Sequence, residues 1–119
     1  MSIGIDIIEI HRIKQACERY GKRFIERILT KREIDYCFAK ANPYESIASR
    51  FACKEAFAKA VGTGIAEQIN WQSIEILRDT TGKPTVNFLH HIDGLTTDMV
   101  SLSLSHTHHY AVAVVNIDN

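Results

Sequence analysis

Between Glu9 and Val61 apolar residues recur at helical spacing, and from Trp71 onward they alternate with polar ones. That one change of period restricts the chain to folds with helices early and antiparallel strands late, an α+β class. The 119 residues suffice for one domain. No repeat, low-complexity tract or linker divides them, so residues 1–119 read as a single domain, with N-terminal helices packed on an antiparallel sheet.

The punctuation can be followed along the chain. Ser2 to Ile8 is isoleucine-rich and reads as a strand; Ile10, Ile13, Ala16 and Cys17 then mark a helix that stops at Tyr20-Gly21. Phe24, Ile25, Ile28 and Leu29 predict a short second helix, with its basic residues turned outward. Thr30-Lys31-Arg32-Glu33 has capping-box spacing and starts a third. Asn42 as N-cap and Pro43 at the first helical position open a longer helix, running to about Val61 and ending at Gly62-Thr63-Gly64. A strand near 71–78, a turn over Asp79–Pro84 and a return strand at Thr85–Phe88 follow. His90–Thr97 is expected to form a short helix, and Met99–His106 with Tyr110–Ile117 a hairpin joined by Thr107-His108-His109.

Several classes drop out. No apolar run approaches the roughly 20 residues of a membrane span. The N-terminus has neither the basic region nor the apolar stretch of a secretory signal. Cys17, Cys37 and Cys53 are odd in number and lack a Cys-x-x-Cys pair, which argues against a disulfide framework or zinc site and suits a reducing cytoplasm. His106, His108 and His109 have no further ligand at a recognised zinc spacing. Formal net charge is zero, against the basic balance of nucleic-acid-binding domains. The charge is uneven, however. Residues 1–32 hold eight basic and four acidic groups, leaving this third at +4 and the remainder at −4. That split is either a solvated helix face or a surface for an acidic partner.

Two acids interrupt apolar surroundings. Glu55 projects between Phe51 and Ala52 on one side of the long helix, with Lys59 one turn later. The pair reads as an ordinary i,i+4 ion pair or, beside Gly62-Thr63-Gly64, as part of a phosphate site. Asp6 interrupts Ile3-Gly4-Ile5-Asp6-Ile7-Ile8, as an edge-strand gatekeeper or a functional carboxylate, and Gly4 permits close approach of another backbone or a ligand. Together Asp6 and Glu55 supply the one or two carboxylates that Mg²⁺ usually takes from a protein. His106 continues the Leu102 and Leu104 face and emerges at a strand end. Ser101, Ser103 and Ser105 read as a polar strand face, with no Gly-x-Ser-x-Gly elbow and no P-loop.

Four blocks then coincide. Gly4-Ile5-Asp6-Ile7-Ile8-Glu9-Ile10 resembles the opening motif of the holo-[acyl-carrier-protein] synthases, the short bacterial class of 4′-phosphopantetheinyl transferases. Arg50-Phe51-Ala52-Cys53-Lys54-Glu55-Ala56-Phe57-Ala58-Lys59-Ala60 followed by Gly62-Thr63-Gly64 resembles the central signature of that family. Gly82-Lys83-Pro84, and Ser105-His106-Thr107 with Tyr110-Ala111, resemble its third and fourth blocks, so the likeness covers nearly the whole chain.

The resemblance implies an enzyme of fatty acid biosynthesis with the family's 4′-phosphopantetheinyl transferase fold. It would move the 4′-phosphopantetheine arm of coenzyme A to a serine of apo-acyl carrier protein and release adenosine 3′,5′-bisphosphate. Asp6 and Glu55 would bind Mg²⁺ with the coenzyme A pyrophosphate; Lys59 would contact the phosphates and stabilise the leaving group. Arg50, Lys54, Gly62, Thr63, Gly64, Lys83, Pro84, Ser105, His106 and Thr107 would line the nucleotide pocket. Arg12, Ile13, Arg23, Phe24 and Arg27 would dock the acidic carrier protein, and a homotrimer would place each active site at a subunit interface. Ser2, Cys53 and His108-His109 depart from the family pattern without touching a proposed ligand. The other readings are a binding module for coenzyme A or carrier protein without turnover, and a metal-dependent phosphohydrolase or nuclease. Retention of Asp6, Glu55, Lys59 and His106 together argues against the first, and the shortage of further carboxylates against the second.

Overall fold

A computed structural model describes residues 1–62 and 69–118. In chain order the elements are β1 (Ser2–Glu9), α1 (Ile10–Tyr20), α2 (Lys22–Ile28), α3 (Lys31–Phe38), α4 (Tyr44–Val61), β2 (Ile74–Arg78), β3 (Pro84–Phe88), a 3₁₀ turn (Thr97–Met99), β4 (Val100–His106) and β5 (Tyr110–Ile117). The early-helix, late-strand reading holds, with β1 returning to join the late strands. β1 and β4 flank β5 in a three-stranded antiparallel sheet, and β2–β3 form a separate hairpin. The register sets Asp6 opposite Ala113 and His106 opposite Ala111.

The start and stop signals behave as their chemistry requires. Thr30 accepts the Glu33 N–H on its hydroxyl while the Glu33 carboxylate accepts the Thr30 N–H, closing the capping box. The Asn42 side chain accepts the Tyr44 N–H at the head of α4, and Gly62 ends that helix at φ 89°, a left-handed conformation costly for other residues. Thr63 and Gly64, the rest of the expected stop, lie outside the described residues. One element differs. Where a short helix over His90–Thr97 is expected, the chain makes a tight Ile92–Leu95 bridge and only then a single 3₁₀ turn. Gly94, at φ 78°, supplies the reversal there.

α4 is the spine. It packs against both β1 and β5, and its buried residues run almost all round its circumference, from Ile47 and Ala48 through Cys53 and Phe57 to Ala60. On one side Ala52, Ala56, Phe57 and Ala60 meet Val115, Ile117, Ile74 and Ile76. Towards its other end Ile47 and Ala48 meet Ile13, Cys17, Ile28 and Leu29 from the N-terminal helices. Small residues let the sheet come close. A Cβ built on Gly4 would stand 1.9 Å from the Ala56 carbonyl oxygen, so only glycine admits β1 to this distance. The backbone approach expected at Gly4 is thus to α4, and it draws Asp6, two residues on and on the same strand face, towards Glu55.

Candidate active site

Asp6 from β1 and Glu55 from α4 line one open cavity of about 460 Å³. Arg12 and Ile13 of α1, Phe24 of α2 and Phe51 of α4 complete much of its wall. Lys59, one turn beyond Glu55, does not make the expected i,i+4 pair. Its Nζ crosses instead to β1, 3.0 Å from the Asp6 Oδ1 and 3.0 Å from the Ile5 carbonyl oxygen. Burial pushes the Glu55 carboxyl above its usual value and the neighbouring Asp6 charge pushes it further, with Lys59 pulling the other way. The two carboxylates therefore feel each other across the cavity, and Lys59 contacts Asp6 directly while offsetting the Glu55 charge only in part.

A second cleft, of about 340 Å³, holds Arg50, His106, Arg78, Lys40 and Glu45. Arg50 is nearly inaccessible: its Nε donates to the Ile76 carbonyl at 2.9 Å, its Nη1 to the Ser46 carbonyl at 3.1 Å, and its guanidinium lies over the Tyr36 ring. Its Nη2 is buried with no hydrogen-bond partner among the described residues. The strand-end His106 sits with its Nε2 3.0 Å from Glu45 Oε2 at the head of α4. Lys83 and Pro84 occupy a third groove, beside β4. Ser105 and Thr107 are exposed; the Thr107 hydroxyl accepts the His109 and Tyr110 N–H groups and so shapes the hairpin turn. Arg23 and Arg27 are exposed on α2 and do not line the cavity that Phe24 enters.

Lys54 requires a correction. It does not face a nucleotide pocket: it is 1% exposed, and its three donors are taken by the Ile28 carbonyl at 2.8 Å, Glu33 Oε1 at 2.6 Å and the Trp71 carbonyl at 2.7 Å. Burial pulls its ammonium below the usual lysine value, against the attraction of Glu33. Around this pair runs a network that the periodicity does not announce. Glu33 also accepts the Ile76 N–H, and the buried Glu75 accepts from Thr30, Arg32 and Asn87. The capping-box spacing marks Glu33 as a cap, but nothing local marks it as buried.

The comparison with known proteins decides the family. Residues 2–115 match the 4′-phosphopantetheinyl transferase superfamily. The chain belongs to that superfamily.

Among relatives of this transferase family, the holo-[acyl-carrier-protein] synthase of Chloroherpeton thalassium is 61% identical over 118 residues, which span 99% of this chain and 98% of that one. Two solved structures agree in fold. A Bacillus anthracis holo-(acyl-carrier-protein) synthase in complex with CoA (3′,5′-ADP) superposes with a TM-score of 0.83 at 40% identity, covering 98% of this chain and 94% of its own. A Neisseria meningitidis holo-[acyl-carrier-protein] synthase gives 0.87 at 35% identity, with 99% and 98% covered. The α+β transferase fold expected from the four blocks is therefore the fold of this chain.

Proposed function

We propose that this protein transfers 4′-phosphopantetheine from coenzyme A to a serine hydroxyl of apo-acyl carrier protein, releasing adenosine 3′,5′-bisphosphate. One observation carries the reading. Asp6 and Glu55, from a strand and a helix far apart in sequence, share a single cavity whose other wall holds the carrier-docking candidates Arg12, Ile13 and Phe24. Relatives named for this reaction, one of them solved with CoA (3′,5′-ADP), support the same assignment.

The donor set suits Mg²⁺. Burial raises the Glu55 pKa and the Asp6 charge raises it further, a strain on the two carboxylates that a divalent cation relieves, and Mg²⁺ takes one or two protein carboxylates with water and phosphate in its other positions. When bound, Mg²⁺ supplies Lewis-acid polarisation of a phosphoryl oxygen and orients the pyrophosphate. The protein's own share is positioning and charge. Lys59 holds Asp6 in place and presents positive charge to the leaving phosphate. Glu55, whose proton affinity is raised, is the base candidate for the serine hydroxyl as its oxygen attacks phosphorus and the pyrophosphate bond breaks. Arg50, with one buried donor unpartnered among the described residues, and His106 share one cleft as nucleotide-binding candidates, and Gly62, Lys83, Pro84, Ser105 and Thr107 are the further candidates outside it. Thr63 and Gly64 complete that set outside the described residues.

In one chain Asp6 with Glu55, Arg50 with His106, and Lys83 with Pro84 lie in three separate clefts, and the outer sheet face exposes Ile3, Ile5, Ile7 and Val114. Both features support a homotrimer whose sites are completed across subunits. Basic α1 and α2, with Arg12, Arg23 and Arg27, suit the acidic carrier protein. Fatty acid biosynthesis in the cytoplasm is the setting that fits. Its reducing conditions suit three buried free thiols, with Cys37 pushed up to about 11 and Cys53 to about 12 by burial.

Intact-mass spectrometry of apo-acyl carrier protein incubated with this protein, coenzyme A and Mg²⁺ tests the reading. A gain of one phosphopantetheine that a chelator abolishes is expected. No gain from folded protein that binds coenzyme A would overturn it in favour of a binding module.

A further inference from the structure

The short helix α2 is held at its C-terminal end by two side chains reaching it from beneath. Gln72 Nε2 donates to the Glu26 carbonyl at 2.9 Å and to the Leu29 carbonyl at 2.8 Å. Lys54 Nζ donates to the Ile28 carbonyl between them at 2.8 Å. The last carbonyls of any helix lack partners within it, and seven residues are too few for a helix to hold itself in water. The direction and depth of α2 are thus set by what takes these carbonyls.

Both anchors are themselves fixed. Gln72 sits in a tight turn closed by its own N–H on Asn70 Oδ1 at 2.8 Å and by the Asn70 N–H on Ser73 Oγ at 2.9 Å. Trp71, next to it, stacks on Phe51 with ring centroids 4.8 Å apart, and Phe51 lines the reaction cavity. Lys54 precedes Glu55 on α4 and also binds the Trp71 carbonyl. One turn and one ammonium therefore tie the end of α2 to the wall of the cavity.

We propose that Gln72 is a positioning residue for the carrier-protein substrate: with Lys54 it holds α2 so that Phe24 enters the cavity beside Asp6 and Glu55 while Arg23 and Arg27 face outward. The assignment rests on the reading of α1 and α2 as the carrier-docking surface. Gln72 lines none of the three clefts that hold the proposed metal and nucleotide residues. Its loss acts on recognition of the protein substrate, not on the chemical step.

Steady-state kinetics of Gln72→Ala and Gln72→Met test this, the second variant keeping side-chain length while removing the donors. The expected result is a rise of about three- to tenfold in KM for apo-acyl carrier protein, the effect of losing neutral hydrogen bonds, with kcat and KM for coenzyme A within about twofold. Calorimetric titration of apo-acyl carrier protein into each variant should show the same weakening without coenzyme A. Unchanged KM for the carrier protein, an equal fall in every parameter, or loss of fold in both variants would overturn the assignment and make Gln72 purely structural. If the wild type modifies the carrier protein, those results leave the proposed function standing. A wild type that neither modifies nor binds it overturns both.

Discussion

Lys59 leaves its neighbour Glu55, one turn away on the same helix, and pairs with Asp6 on the adjacent strand at 3.0 Å. The ammonium thereby links β1 to α4 beside the cavity and offsets the Glu55 charge only in part. Since the side chain of Lys59 is 54% exposed, the pair adds less than about 1 kcal/mol to stability. Lys59→Ala is expected to keep the thermal midpoint and lose about a hundredfold in kcat/KM for coenzyme A, the scale of one removed charge-stabilising group. Differential scanning fluorimetry alongside initial rates separates the two effects.

Glu55 gives a pH signature with a defined sign. Its carboxyl titrates above the usual 4.5 in the folded protein, chiefly through burial. The unfolded chain therefore ionises first, and this group makes stability fall as pH rises from 4.5 through the folded value, then levels off. Glu55→Gln removes that loss. At pH 7 the variant is expected to melt above the metal-free wild type, with the gap closing below about pH 4. Activity moves the opposite way, to background.

Added Mg²⁺ provides a complementary readout. Binding to the folded state alone raises the wild-type melting temperature with metal concentration. Asp6→Asn and Glu55→Gln are expected to lose that rise, measured by fluorimetry across a Mg²⁺ titration and reversed by chelator. A full rise in either variant would remove that residue from the metal site.

The buried pair predicts a large stability effect. Glu33→Gln leaves the Lys54 ammonium in the interior without its anion, 2.6 Å from where the carboxylate stood. Breaking such a pair costs about 3–5 kcal/mol, and the urea midpoint should fall accordingly.

Gly4→Ala couples fold and site. The new methyl meets the Ala56 carbonyl oxygen at 1.9 Å, a backbone atom that cannot swing aside. The strand must move off α4, at a cost of roughly 1–3 kcal/mol or more. Asp6 moves with it, so activity is expected to fall further than stability, read from rates at a temperature where the variant remains folded.

Much of this site was legible because its residues contradict their local surroundings. Asp6 breaks an isoleucine strand and Glu55 breaks the apolar side of a helix, and each contradiction is visible within its own element. The capping box at Thr30–Glu33 and the Asn42-Pro43 helix start are likewise local chemistry. The remainder depends on partners distant in sequence. Glu33 and Glu75 look like surface acids until Lys54, Thr30 and Arg32 are folded against them. Lys54 has the same look as Lys59 in the signature, yet one points into the interior and the other to the cavity rim. Helical projection alone could not separate them, because α4 is covered on nearly every side. Gln72, in an unremarkable turn, gained its part only from the carbonyls of α2.

The pairing of β1 with β5 also orders the assembly of the site in time. Asp6 is synthesised long before its strand partner Ala113. A nascent chain carrying all of α4, with Glu55 and Lys59 in place, still has no strand on which to lay β1. Asp6 and Glu55 can therefore come together only once the β4–β5 hairpin has been made, and truncation within β5 should silence the proposed transfer while leaving every proposed site residue in the chain.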